Sequence, residues 1–448
     1  MRLAEASVAM NNRRFPSIRP LARSTRLAGT ALTLAAASLA VACGSGSERI
    51  IYRDDPNDPS GGNGTPGGGN SQNPGGAPGD GQGVRPAGCR KLGNEVKISR
   101  GGGGDSFALA WDTDHYLLAY SDPTQGNGDI HVVRLAADGS AQGPANLLDA
   151  TPGKSRIPTI ARTDGGFVVA WEDEAGGKTV RARKVDTNGV PVGDAVQVLA
   201  SGAEEARPVV ASTQGGVALA WMDRTGNVGS AFVGLLDANL GLRSERARLG
   251  DPAADASFPW VTSVAGAANN EGGTPAIWSD RRGAGLNIRF AEVDAAAGAL
   301  RGERVVREAS GDALLGRMIA GPLGYLKAWE DVRTEPETVH FHFSGPDGTL
   351  KAEGALSGRD GHWPNMAWGE GAAAVVYHQF VTGGARVFVT FLDAQGSRIG
   401  QAIQVSEPPD RAWSRFPAVA FTGSEYGVAW VDSRDGTPAV FLARVSCN

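Results

Sequence analysis

The apolar positions of this chain come in short runs that all close in the same way. "GFVVAWED" (Gly166–Asp173) returns as "GVALAWMD" (Gly216–Asp223) and as "YGVAWVD" from Tyr426, with looser copies in "TPAIWSD", "GYLKAWED" and "HYLLAYSD". Consecutive apolar residues predict a strand that is dry on both faces, because successive side chains point to opposite sides. Aligned on the closing aromatic, the copies fall at Tyr120, Trp171, Trp221, Trp278, Trp329, Tyr377 and Trp430, at intervals of 51, 50, 57, 51, 48 and 53 residues. The long interval holds the insertion "GAANNEGG" (266–273). A period near fifty with turn signals inside it predicts one strand-built unit, repeated seven times.

Each unit reads as four strands. The first is short and often opens after proline, as in "PTIA" at 158, "PVVA" at 208, "PWVT" at 259, "PNMA" at 364 and "PAVA" at 417. The anchor run is second. The third alternates, as in "TVRARKVD" (179–186) and "RVFVTFLD" (386–393), and the fourth is brief, as in "AIQVS" (402–406). Between third and fourth lies an Asp-Gly turn, for example "DTNG" at 186 and "DAQG" at 393, where Asp bonds its own backbone and Gly supplies positive φ. A small sheet whose inner strands are covered on both faces must be sandwiched between copies of itself. The expected fold is therefore all-β: a seven-bladed β-propeller of four-stranded blades. Tandem immunoglobulin-like sandwiches need about 100 residues per unit, and a linear solenoid needs capping repeats.

The seventh unit has three strands and then stops at "SCN". Upstream of the first unit lies an orphan strand, "NEVKIS" (Asn94–Ser99), which matches a fourth strand. The N-terminal strand is expected to complete the last blade and leave no open edge. Cys89 and Cys447 bracket the folded region, and a disulfide between them would stand where other blades have the Asp-Gly turn. Two unpaired thiols are the alternative.

The ends change the picture from fold to location. Residues 1–27 carry six arginines against one acid, Glu5, and are followed by the apolar run Ala28–Ala42 and by Cys43. A basic lead, a short apolar run and small boundary residues describe an export signal over 1–42. The run is shorter than the roughly 20 residues that span a bilayer. "LAVAC" resembles the lipobox of bacterial lipoproteins, which implies lipidation of Cys43; it departs from that pattern at Ala40, where Leu is usual. Ordinary cleavage at the Ala40-x-Ala42 site is the alternative, and "RRF" (Arg13–Phe15) hints at twin-arginine export with the wrong spacing. Residues 43–88, rich in Gly, Pro, Asn and Asp, read as a disordered tether. As a flexible coil, about 45 residues reach roughly 35–40 Å. Gly44 and Ser45 after the cysteine resemble the outer-membrane sorting signal of lipoproteins, which places the expected location in a bacterial cell envelope.

The chain has a formal charge of −5, and removing 1–42 takes away six arginines and one glutamate. An acidic body lacks the basic footprint of nucleic-acid binding, and no such partner is expected. Membrane contact is expected through the lipid anchor only, and the chain is expected to be a monomer.

Candidate chemistry follows from the propeller. Fourth-to-first and second-to-third loops gather on one face around the channel. The second-to-third loops start with a recurring acid at Asp122, Asp173, Asp223, Asp280, Asp331 and Asp432, often followed by arginine (Arg224, Arg281, Arg333, Arg434). One Asp per turn caps its own hairpin or pairs with the nearby Arg; a carboxylate ring for a cation or sugar is the functional alternative, weakened by His378 and Gln379 in blade six. Residues before the first strands are expected to line the channel mouth, with ligand-binding candidates at Arg156, Arg207, Arg317, His362, Trp363, Trp413 and Arg415, beside Phe258. Arginines mixed with aromatics suit an anionic glycan or a partner loop. His340 and His342 in "VHFHF" share one strand face, but no third ligand has suitable spacing, so neither metal nor cofactor is expected. Nucleophile elbow, phosphate loop, HExxH, Asp-box and Trp-Asp repeat are all missing, and no catalytic residue is assigned.

"WSDRRG" (278–283), "WEDVR" (329–333) and "WVDSRDG" (430–436) resemble the W-x-D-x-R-x-G repeats of propeller-bearing secreted and lipid-anchored bacterial proteins. The resemblance covers residues 89–448 and implies the fold without any shared chemistry. The expected function is a non-enzymatic envelope lipoprotein that binds a protein or a surface glycan on its channel face. The alternatives are a glycan-active hydrolase or lyase using channel-face carboxylates, with Asp223 and Asp280 the first pair to consider, and a purely structural adhesin.

Overall fold

The computed structural model describes residues 88–447, apart from 100–106, 123–127, 176, 201–205, 214–215, 226–227, 264–272, 284, 295, 308–310, 322 and 334–335. Cys43, the expected export signal (1–42) and all but Gly88 of the expected tether lie outside the described residues. Among the described residues the regular structure is strand, arranged as seven four-stranded antiparallel sheets. Blade two shows the plan: Ser155–Thr163, Gly166–Asp173, Thr179–Val185 and Pro191–Ala200 follow one another in sequence and in the sheet. The first strands of successive blades touch in a closed circle, from Phe107–Asp112 in blade one to Ser414–Phe421 in blade seven and back. The chain is a seven-bladed β-propeller.

The continuous apolar runs explain the ring. Seven hydrophobic clusters hold it together, and each is shared by two adjacent blades. Trp171 of blade two packs with Leu117, Ala119 and Ile130 of blade one, and Trp329 of blade five packs with Ile277 and Ile288 of blade four. Trp171, Trp278, Trp329 and Trp430 are fully buried. Each such ring removes roughly 150–250 Å² from water, on the order of 4–6 kcal/mol at 25 cal/mol per Å².

The N-terminal strand closes the circle. Cys89–Lys97 pairs antiparallel with Ala439–Cys447, with Val96 opposite Leu442 and Lys97 opposite Phe441. Cys89 faces Cys447 and is joined to it as a disulfide across a sequence separation of 358. The Ile98 N–H donates to the Val440 carbonyl (2.8 Å), and Ser99 Oγ accepts the Val440 N–H (2.9 Å). The strand starts earlier than Asn94 because a bulge between Leu92 and Val96 lets pairing resume up to the disulfide.

Two expectations about strand lengths need correction. Fourth strands are not generally brief: Pro191–Ala200 spans 10 residues, and only Asn146–Leu147 of blade one is a remnant. These outer strands carry register shifts in every blade except the first, which twist the edge away from further pairing. First strands do not generally open after their proline. Those of blades two, four, six and seven start before it and carry it inside a bulge, for instance between Arg156 and Thr159 and between Arg415 and Ala418. Proline has no N–H to give the ladder, so the bulge is where it fits.

Candidate functional site

The site is built on the repeated W-x-D-x-R segment, and each of its letters has a structural task. The Asp is spent inside its own blade. In blade seven, Asp432 accepts from the Trp430 indole (3.0 Å), from Ser414 Oγ (2.7 Å), and from the N–H and guanidinium of Arg434 (2.9 and 2.7 Å). Burial pushes its pKa up, but the bonds from Arg434, Ser414 and Trp430 outweigh that and hold it below the ordinary value. Asp331 is held in the same way by Arg333 and Trp329. In blade four the guanidinium that closes onto Asp280 is that of Arg282, two residues on, whereas Arg281 reaches Asp312. Asp173, Asp280, Asp331 and Asp432 are buried, so they form no open ring of carboxylates. Asp280 is also closed to the acid pair considered with Asp223.

The variable residue of W-x-D turns toward the next blade. Glu172 accepts the N–H groups of Ala206 (2.6 Å) and Arg207 (3.3 Å), and Glu330 accepts that of Trp363 (2.7 Å). In blade three the acceptor is Met222 Sδ, bonded to the Phe258 N–H at 3.4 Å. These donors sit at a strained turn. Ile157, Arg207, Phe258, Leu315, Trp363 and Phe416 all have φ between 40° and 56°, and each directly precedes Pro or Gly. Bulky residues there cost about 1–3 kcal/mol each and persist only where surrounding contacts hold them. The previous blade supplies part of that hold.

The turn also explains where the expected rim residues go. Arg156, His362 and Arg415 precede the bulge, Trp363 occupies it and Arg317 follows it, while Arg207 has the matching positive φ just before the unbulged first strand of blade three, Val209–Thr213. Arg156 is a strut: it bonds Glu172 at 2.8 Å and Glu174 at 3.1 Å. Arg207 lies over the Phe258 ring (5.1 Å) and Arg317 over Trp260 (4.3 Å). Burial pushes the Arg317 guanidinium down to about 9; the nearby Arg207 charge acts in the same sense, and Glu330 acts against it.

Blades six and seven contribute a second group. The Arg415 guanidinium lies over Phe380 (4.9 Å) and Trp413 (5.1 Å), and Trp363 meets Phe416 edge-on (5.0 Å). His362 and His378 stack with centroids 5.5 Å apart. Burial holds His378 well below the ordinary imidazole range. Burial also opposes the charge of His362, but its bonds to Asp360 and Glu330 raise it to about 9. Glu330 joins the two groups: it contacts His362 and the Trp363 N–H, and its charge acts on Arg317.

Trp260, Glu330, His378, Phe380 and Phe416 were not foreseen as site residues. The only available signal was the break in the W-x-D pattern at His378. His340 and His342 are packing residues: His340 stacks on Trp329 (6.2 Å), and His342 pairs with Lys327 across the sheet.

No protein-family model matches the sequence, nor does any curated protein. Among solved structures, the chain is similar to the polysaccharide lyase Uly1, with TM-score 0.52 and 9% identity over 80% of this chain and 100% of that one. It is also similar to the Dos1 propeller (TM-score 0.46, 10% identity, 81% of this chain and 96% of that one). A Trypanosoma rangeli sialidase in complex with 2,3-difluorosialic acid aligns at TM-score 0.43 and 6% identity over 80% of this chain. The chain spans 59% of that sialidase. At these identities the likeness is one of fold.

Proposed function

We propose that this chain is a non-enzymatic cell-envelope lipoprotein whose propeller binds an anionic glycan on its channel face. The observation that carries this reading is the set of stacked guanidinium groups. Arg207, Arg317 and Arg415 each lie over an aromatic ring, just before or within the first strands of blades three, five and seven, while the motif carboxylates Asp173, Asp280, Asp331 and Asp432 are buried and spent. Stacked guanidinium groups are pre-oriented to fork onto carboxylate or sulfate, and half-buried rings such as Trp413 offer apolar faces to sugar. In an otherwise acidic protein, this is a local positive site.

A glycan array followed by calorimetry with polyuronate and neutral polysaccharide tests the reading. Acidic chains should bind with affinity that falls as salt rises, and Arg415→Ala and Arg317→Ala should each weaken binding about tenfold, the scale of one charged hydrogen bond. Equal binding of neutral chains, or unchanged affinity in both variants, would overturn it.

A glycan-active enzyme is the second reading. The observation in its favour is His362 stacked on His378 with pKa values pushed in opposite directions, the arrangement that separates an acid from a base. Release of new chain ends from an acidic polysaccharide would select this reading over simple binding.

A further inference from the structure

We propose a site for a divalent transition-metal ion of the zinc class at the boundary of blades five and six, built by Glu337, Asp360 and His362. One carboxylate oxygen from each acid and one ring nitrogen of His362 lie within 4.8 Å of one another. Ligands at about 2.0–2.2 Å from a common ion sit roughly 3–4 Å apart, so a small contraction brings all three into one shell.

The chain holds these residues together by bonds that do not involve the ligating atoms. Glu337 directly precedes the third strand of blade five (Thr338–Ser344), and Asp360 and His362 flank Gly361, where blade six begins. The Asp360 and Gly361 N–H groups both donate to the Glu337 carbonyl, at 2.7 and 3.1 Å. The two ligand-bearing segments are thereby cross-linked before any ion arrives.

The surroundings of His362 match those of a ligating histidine. The two nitrogens of His362 face different partners: Nε2 lies 3.3 Å from Asp360 within the cluster, and Nδ1 lies 3.5 Å from Glu330 outside it. Glu330 is itself fixed by the Trp363 N–H. A carboxylate behind the far nitrogen of a ligating histidine sets its tautomer and orientation. His378, 4% exposed, stacks against the His362 ring, and its Nδ1 has no hydrogen-bond partner. One imidazole with two carboxylates suits zinc-class ions, whereas calcium asks for about six to eight oxygens.

This inference does not rest on the glycan reading, and its assay contains no glycan. The test is zinc titration of the full chain, purified without a histidine tag, against a chromogenic chelator. Calcium is run in parallel, and thermal melting is followed with and without zinc. One ion per chain and a higher melting temperature with zinc are expected. His362→Gln and Asp360→Asn should each lose at least tenfold in affinity and lose the zinc-dependent rise in melting. Glu330→Gln, acting through His362, should weaken binding about tenfold. Zinc binding that is absent, or unchanged in both ligand variants while they melt like the parent, would leave an ion-paired histidine and overturn the proposal. Tight calcium binding without zinc binding would overturn the assigned class.

Discussion

Lys327 stands two residues before its anchor tryptophan, where the other blades carry Leu118, Val169, Leu219, Ala276, Val375 and Val428. It is 1% exposed, its Nζ donates to Ser344 Oγ at 2.7 Å, and it lies over Phe290 (5.2 Å) and Tyr325 (5.5 Å). Burial, with a smaller push from Arg304, lowers its pKa to about 7. The unfolded lysine titrates near 10.4, so between about pH 7 and 10 the unfolded chain binds the proton that the folded chain refuses. This residue's cost is therefore full below about pH 7 and shrinks as pH rises toward 10. Lys327→Met should stabilise the fold by about 1–4 kcal/mol near pH 6 and by much less near pH 10. Denaturant unfolding at the two pH values measures this; a gain that does not depend on pH would show that the ammonium keeps its charge. The same scale shows why the Asp residues are structural. Asp280, Asp331 and Asp432 each meet an indole, an N–H and a guanidinium from their own motif, so the spacing of W-x-D-x-R is the spacing of one buried carboxylate's donors.

At the scale of elements, the borrowed strand is the least local part of the fold. Its register is fixed by the disulfide at one end and by ion pairs along its length: Lys97 to Asp435 at 2.6 Å, Lys91 to Glu407 at 2.9 Å, and Glu95 to Arg434 at 2.5 Å. Removing the covalent link by Cys89→Ser, by Cys447→Ser or by reduction should lower stability by about 6 kcal/mol in the chain-entropy account, which is an upper bound beside the roughly 2–5 kcal/mol usual for native disulfides. The double variant should lose no more than either single one. Melting of the oxidised, reduced and variant proteins measures this. If reduction leaves melting unchanged, the paired strand alone holds the circle. The bulged first strands are a second lesson at this scale. The prolines mark them correctly, but the strand runs through the proline, because a bulge accepts a residue without an N–H and strand propensity has no means of stating this.

At the scale of the whole molecule, the proposed lipoprotein places the ring at the end of a tether. Cys43→Ala should then move the protein from the membrane to the soluble fraction and abolish incorporation of a fatty-acid label, with the melting of the propeller unchanged; retention of both membrane association and label would sink the anchor. Seven copies of an apolar run, a fifty-residue period, an incomplete last unit and an orphan strand upstream were enough to specify the ring and its closure, because those are local patterns repeated in register. Arg207, Arg317, His362, Trp363 and Arg415 were legible as candidates from their place before or just inside a first strand. Their partners were not: Trp260, Phe380 and His378 reach them across the sheet or from a neighbouring blade. Glu337 lies 25 positions from His362 in another blade. The sequence by itself determined the number of blades and the residues that join them, since a repeated hydrophobic pattern dictates its own burial. Only the tertiary structure decided which charges are spent and which side chains converge, because that depends on how neighbouring blades meet at the channel, a distance no spacing along the chain encodes.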